Sequence, residues 1–138
     1  NRINTGRRKP LTIRSLVIIG HHATWDVYGC QPSQISFQSD IEALLTTIVR
    51  ELGLTGIRSG FKQFQPIGVT GFILLEESHI SVHTWPEHGF VALDIFSCKP
   101  FEAAAVSFML ERELRCDQIV LHQMSRGKLP EHLSLPQE

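Results

Sequence analysis

The chain has 138 residues, 42% apolar and 20% charged, with a formal net charge of −1. That balance suits a globular domain and gives no electrostatic case for nucleic acid or an anionic membrane as partner. No apolar run approaches the ~20 residues of a membrane helix. The length predicts one domain over 16–127, flanked by a loose arm at 1–15 and a polar tail at 128–138. Arg7, Arg8 and Lys9 read as solvated charges on that arm. Cys30, Cys98 and Cys116 are odd in number and form no C-x-x-C pair. With no leader-like opening, a reduced cytoplasmic setting is expected, and no metal.

Leu16 to Val27 reads as a strand, opening on the apolar run Leu16-Val17-Ile18-Ile19. Ser39 and Glu42 have capping-box spacing, and Ile41, Leu44, Leu45, Ile48, Val49 and Leu52 repeat at helical intervals, predicting a helix over 40–52 that Gly53 ends. Strands follow over 55–64, 69–76, 79–84 and 90–97, the last two joined by the turn Trp85-Pro86-Glu87-His88-Gly89. Pro100 suits the first turn of a second helix, with Phe101, Ala104, Ala105, Phe108 and Met109 as its apolar stripe. A last strand is predicted over 117–123. Short consecutive strands with tight turns favour antiparallel pairing. The expected fold is therefore α+β, a two-layer sandwich of an antiparallel β-sheet with two helices on one face. The uncovered face invites a second copy or a ligand.

The segment Glu77-Ser78-His79-Ile80-Ser81-Val82-His83-Thr84-Trp85-Pro86-Glu87 concentrates polar groups around two aliphatic side chains. Strand parity sends Ile80 and Val82 one way and His79, Ser81 and His83 the other, like the wall of a site. In the hairpin closed near Glu87, opposed residues should sum to about 174. Cys98 then falls opposite Glu76 to Ser78. A thiol, a serine hydroxyl, two histidines and carboxylates are thus expected in one neighbourhood. A Ser/His hydrolase is one chemistry for such a set, but no G-x-S-x-G elbow is present. Zinc held by His79, His83 and a carboxylate is another, but these histidines stand about 13 Å apart along a strand. An ordinary strand with satisfied polar side chains remains the third reading.

Glu77-Ser78-His79-x-Ser81-x-His83-Thr84-Trp85-Pro86-Glu87, followed by Phe96-Ser97-Cys98, resembles the small prokaryotic S-adenosylmethionine decarboxylase proenzymes. The resemblance extends to Val27-Tyr28-Gly29-Cys30, to Phe64-x-Pro66-x-Gly68-Val69-Thr70-Gly71 and to Arg126-Gly127. It implies a pyruvoyl-dependent lyase, a zymogen that cleaves itself between Glu77 and Ser78. The Ser78 hydroxyl would convert its own amide to an ester, and elimination and hydrolysis would leave a pyruvoyl group. By the family pattern His83 assists processing, and Thr70 stands where a serine commonly helps. The pyruvoyl carbonyl would form a Schiff base with the substrate amine and accept the electrons of decarboxylation. Cys98 would be the proton donor. Phe64 would stack on adenine, Trp85 would add a second ring, and Glu87 would take the ribose hydroxyls. The implied partner is a second copy, in a homodimer of processed αβ units, and the implied pathway is spermidine (polyamine) biosynthesis.

Trp25-Asp26, Lys62, Lys99 and His88 depart from the commonest family residues, all expected near the substrate. The same scaffold also serves decarboxylation of arginine, so arginine or ornithine is the alternative substrate. Phe64 and Glu87 favour S-adenosylmethionine. A second alternative is an unprocessed, non-catalytic partner of an active paralogue.

Overall fold

Alternating burial along each strand builds one sheet with two unlike faces. The computed structural model describes residues 16–130. Six strands, β1 (Leu16–Tyr28), β2 (Gly56–Gln63), β3 (Val69–Leu75), β4 (Ser78–Trp85), β5 (Phe90–Ser97) and β6 (Gln118–Pro130), lie in the order β2-β3-β4-β5-β1-β6. All neighbours are antiparallel. The expected arm, with Arg7, Arg8 and Lys9, and residues 131–138 of the expected tail lie outside the described residues.

One face is covered by α1 (Pro32–Ile35), α2 (Gln38–Glu51) and α3 (Ala103–Leu114). The core between the layers joins Trp25, Val27, Val69, Ile73, Ile80, Val82, Leu93 and Ile95 of the sheet to Ile41, Leu45, Ile48, Val106 and Leu110 of the helices. Each fully buried aliphatic side chain among them contributes roughly 1.5–3 kcal/mol. The α+β sandwich is therefore as expected, with the short α1 added to the two anticipated helices.

Three local readings are corrected. The Ser39–Glu42 capping box does not form. The helix begins at Gln38, Phe37 is its N-cap, and no side chain of the segment caps it. The Gln38 N–H instead donates to Gln63 Oε1 at 2.6 Å, a partner 25 residues away. Gly53, at φ +69°, does follow the helix end, a conformation glycine adopts without Cβ strain. The second long helix starts at Ala103, not beside Pro100, which shifts its buried stripe to Ala103, Val106, Met109, Leu110 and Leu114. Phe108 is 63% exposed, and Phe101 packs against the core from outside the helix. Finally, β6 continues past Gln123 to Pro130 because β1 offers it a partner along its whole length.

Trp25 is fully buried, and its Nε1–H donates to Ser107 Oγ of α3 at 3.0 Å. It belongs to the core under α3 and not to an exposed face of the sheet.

Candidate active site at two ends of one strand

β3 and β4 are joined by the two residues Glu76 and Glu77, with Leu75 and Ser78 as the closing pair. Glu77 adopts φ +55°, a left-handed conformation that costs a non-glycine residue about 1 kcal/mol. β4 pairs with β5 so that Ser78 opposes Ser97, and opposed residues sum to 175, one from the expected register. Cys98 therefore lies beside Glu77, and its Sγ–H donates to Glu77 Oε2 at 3.1 Å. That hydrogen bond, with some desolvation and the nearby negative charge, pushes the Cys98 thiol up, against a smaller opposite pull from Lys99. Ser78 has the parity of Ile80 and Val82, so its side chain turns into the helix-covered face. There its hydroxyl donates to Ser97 Oγ at 3.0 Å. A cleft of about 250 Å³ opens beside both serines, lined also by Leu54, Glu76, Glu77 and Lys99.

The other end of β4 carries a second group. Thr70 opposes His83 on the open face, with Thr70 Oγ1 and His83 Nδ1 3.0 Å apart. A cavity of about 310 Å³ is lined by Phe64, Gly68, Thr70, His83, Trp85 and Glu87. Gly68, at φ +110°, turns the chain so that its carbonyl accepts the Phe64 N–H at 2.8 Å, and its N–H donates to Ser36 O at 3.0 Å. Buried Thr84 ties the same corner down by accepting from Val69 N–H and donating to Ile35 O. Trp85 stacks obliquely between His83 and Phe90, at centroid distances of 6.1 and 5.5 Å.

Between the two ends lies an acidic hub on the open face. Asp94 opposes Ser81 and accepts from the Ser81 hydroxyl, from His22 Nε2 at 2.9 Å and from His79 Nε2 at 3.2 Å. Arg126 approaches His22 Nδ1 at 3.3 Å, so Nδ1 is the accepting nitrogen and Nε2–H points to Asp94. Burial pushes the Asp94 carboxyl up, but the hydrogen bonds from Ser81, His22 and His79 outweigh it and hold the group below the usual carboxylate range.

A family model described as S-adenosylmethionine decarboxylase matches residues 21–127. The S-adenosylmethionine decarboxylase proenzyme of Persephonella marina is 42% identical over 118 residues, 83% of this chain and 86% of that protein. The proenzyme of Archaeoglobus fulgidus is 39% identical over 68% of this chain and 84% of its own. The chain belongs to the S-adenosylmethionine decarboxylase family. The crystal structure of the adenosylmethionine decarboxylase from Aquifex aeolicus matches the fold with a TM-score of 0.77 at 36% identity, covering 86% of this chain and 98% of that one. Membership bears out the expectation of a pyruvoyl-dependent decarboxylase made as a proenzyme.

For a member of the S-adenosylmethionine decarboxylase family, the arrangement differs from the single neighbourhood expected of the sequence. Glu77, Ser78 and Cys98 do come together. Phe64, Thr70, His83, Trp85 and Glu87 also come together, but at the opposite end of β4, five residues or roughly 16 Å from Ser78. Ser78 faces the helices, while His79, Ser81 and His83 face outward as parity predicted. Among the departures from the common pattern, Lys62 opposes Thr70 and Lys99 lines the Ser78 cleft. Sequence reasoning missed Ser97, Asp94 and His22. Asp94 carried a usable signal, the one charge of the strand Phe90–Ser97, at an open-face position.

Proposed function

We propose that this chain cleaves itself between Glu77 and Ser78 and then decarboxylates S-adenosylmethionine, the step that supplies aminopropyl groups for spermidine. The observation that carries this reading is the Glu77–Ser78 junction itself. A non-glycine residue is held left-handed next to a serine whose hydroxyl is buried and already hydrogen-bonded. The junction closes a hairpin whose two strands are interior to the sheet, so β3 stays paired with β2 and β4 with β5 after a cut. The fold can lose this peptide bond without losing a ladder.

The residues present fit a pyruvoyl group at position 78. Ser78 supplies its atoms, and the cleft beside it gives room for a substrate amine. Bound there, the group supplies an electrophilic carbonyl that acts as the electron sink for loss of carbon dioxide. Cys98 holds a proton within reach of that end of β4, and Glu77 keeps the thiol in its protonated form. At the other end, Phe64 and Trp85 offer aromatic faces, 47% and 39% exposed, and Glu87 offers a carboxylate for the ribose hydroxyls. An adenosyl group suits this cavity. A guanidinium or ammonium substrate would need a carboxylate without the rings, which is why S-adenosylmethionine is preferred to arginine or ornithine.

No side chain bridges roughly 16 Å. A complete site therefore takes two copies, the Phe64–Thr70–His83–Glu87 end of one meeting the Ser78–Cys98 end of its partner. The open sheet face supplies the surface, with Phe72, Leu74 and Met124 each more than 40% exposed. Among the described residues no helix is long and apolar enough to cross a membrane. Three free cysteines suit the reducing cytoplasm.

Intact mass tests the first step: two fragments meeting between Glu77 and Ser78, the second with a blocked N-terminus, are expected. A fully matured but single uncleaved chain would favour the non-catalytic partner instead. Parallel assays of carbon dioxide release from S-adenosylmethionine, arginine and ornithine test the substrate, and higher turnover with either free amino acid would overturn the preference.

A further inference from the structure

Ser78 needs help to become a nucleophile, and the imidazole expected to assist processing is at the far end of β4. What its hydroxyl touches is another hydroxyl. Ser78 Oγ–H donates to Ser97 Oγ at 3.0 Å across the β4–β5 pair, on the helix-covered face. Ser78 is 8% exposed and Ser97 2%. Ser97 Oγ also accepts the Lys99 N–H at 3.1 Å. Both lone pairs of Ser97 Oγ are therefore engaged, which fixes the oxygen in place and leaves its own proton free to move on.

We propose that Ser97 is a catalytic residue of the self-cleavage, aiming the Ser78 hydroxyl at the Glu77 carbonyl and relaying its proton as the ester forms. The inference rests on the reading that Glu77–Ser78 is the bond cleaved. In the step, a Ser78 Oγ lone pair attacks the Glu77 carbonyl carbon. The new C–O bond forms and the C–N bond breaks, its electron pair returning to the Ser78 nitrogen. The Oγ proton passes to Ser97, which gives its own proton to water in the adjoining cleft, and the released amine takes one proton from that water. No oxidant or further reactant is needed. The Lys99 N–H holds the relay oxygen in place while the protons move through it.

The left-handed turn at Glu77 and the Ser97 contact act on the same bond from two sides. One holds the carbonyl-bearing residue in an uncommon conformation, and the other orients the attacking group. His83, brought by a second copy, is then left for removal of the Ser78 α-proton from the ester. The two hydroxyl-bearing sites, Ser97 on the covered face and Thr70 with His83 on the open face, thus divide the acyl shift from the elimination.

The test follows the disappearance of uncleaved chain by intact mass in wild type, Ser97→Ala, Ser97→Cys, Ser97→Thr and Ser78→Ala, with thermal unfolding of each as a fold control. Ser97→Ala and the space-filling Ser97→Cys should slow cleavage about 10- to 100-fold, while Ser97→Thr, which keeps the hydroxyl, stays within about threefold of wild type. Neither slow variant should accumulate an ester that hydroxylamine can cut. A folded Ser97→Ala or Ser97→Cys chain that splits at the wild-type rate overturns the proposal. So does accumulation of a hydroxylamine-labile ester, which would place Ser97 after the acyl shift. If wild type itself stays intact, or Ser78→Ala still splits, the self-cleavage reading fails, and that outcome is distinct from failure of Ser97 alone.

Discussion

Cys98 Sγ lies 3.1 Å from Glu77 Oε2, so the thiol and the carboxylate at the proposed cleavage junction share a proton in the uncut chain. A carboxylate acceptor stabilises the thiol over the thiolate, which is the form a proton donor must keep. Cleavage after Glu77 would add a terminal carboxylate next to the same thiol and reinforce the effect.

Removing that acceptor should therefore ease ionisation of Cys98. In an uncleaved Ser78→Ala background, Glu77→Gln is expected to shift Cys98 alkylation by iodoacetamide to lower pH, read at Cys98 by peptide mass. Cys30 makes an internal control, since burial pushes its thiol up to about 12. In the processed enzyme, activity should fall as pH rises through the Cys98 pKa. An alkylation profile that Glu77→Gln leaves unmoved would refute the assignment.

The Thr70–His83 pair predicts complementation between chains. Alone, Ser78→Ala should remain uncleaved and His83→Ala should be cut about 100-fold or more slowly than wild type. Co-expressed, the Ser78→Ala chain lends its His83, and the His83→Ala chain should be cut while its partner stays whole. Intact mass separates the two. Absence of any cutting in mixed dimers would show that the groups at the two ends of β4 do not meet across an interface.

Asp94 predicts an acid limb of stability. Its folded pKa lies below its unfolded one, so its contribution is full above the unfolded value and is lost as pH falls through the folded value. Asp94→Asn places an amide against two imidazole N–H donors and the Ser81 hydroxyl. It should cost about 1–3 kcal/mol at neutral pH and flatten the acid limb. Thermal unfolding across pH checks both, and an unchanged acid limb would remove Asp94 as its source.

Trp25 predicts a change in stability without a change in substrate binding. Trp25→Phe loses the bond to Ser107 and should destabilise the fold by about 1 kcal/mol, leaving KM for S-adenosylmethionine unaltered. A raised KM with unaltered stability would return Trp25 to the substrate site.

Parity alone determined the two faces of β4, and a short turn determined that Cys98 would meet Glu77 within a residue of the expected register. Both follow from local geometry: side chains alternate along a strand, and a tight hairpin leaves little freedom in pairing. The family motif likewise named Ser78, His83 and Cys98 without reference to space. Other features depend on partners far away in sequence. Gln63, not Ser39, starts α2, because a side chain 25 residues away reaches Gln38. The core settles which residues of α3 are buried, since Ala103, Val106 and Leu110 meet the sheet and Phe108 does not. Only the tertiary structure put Ser78 against Ser97 beneath the helices, gathered His22 and His79 around Asp94, and parted Ser78 from His83. A run of eleven residues places its members close in sequence, but an extended strand spends about 3.3 Å on each. Neighbours in the motif thus become opposite ends of a site.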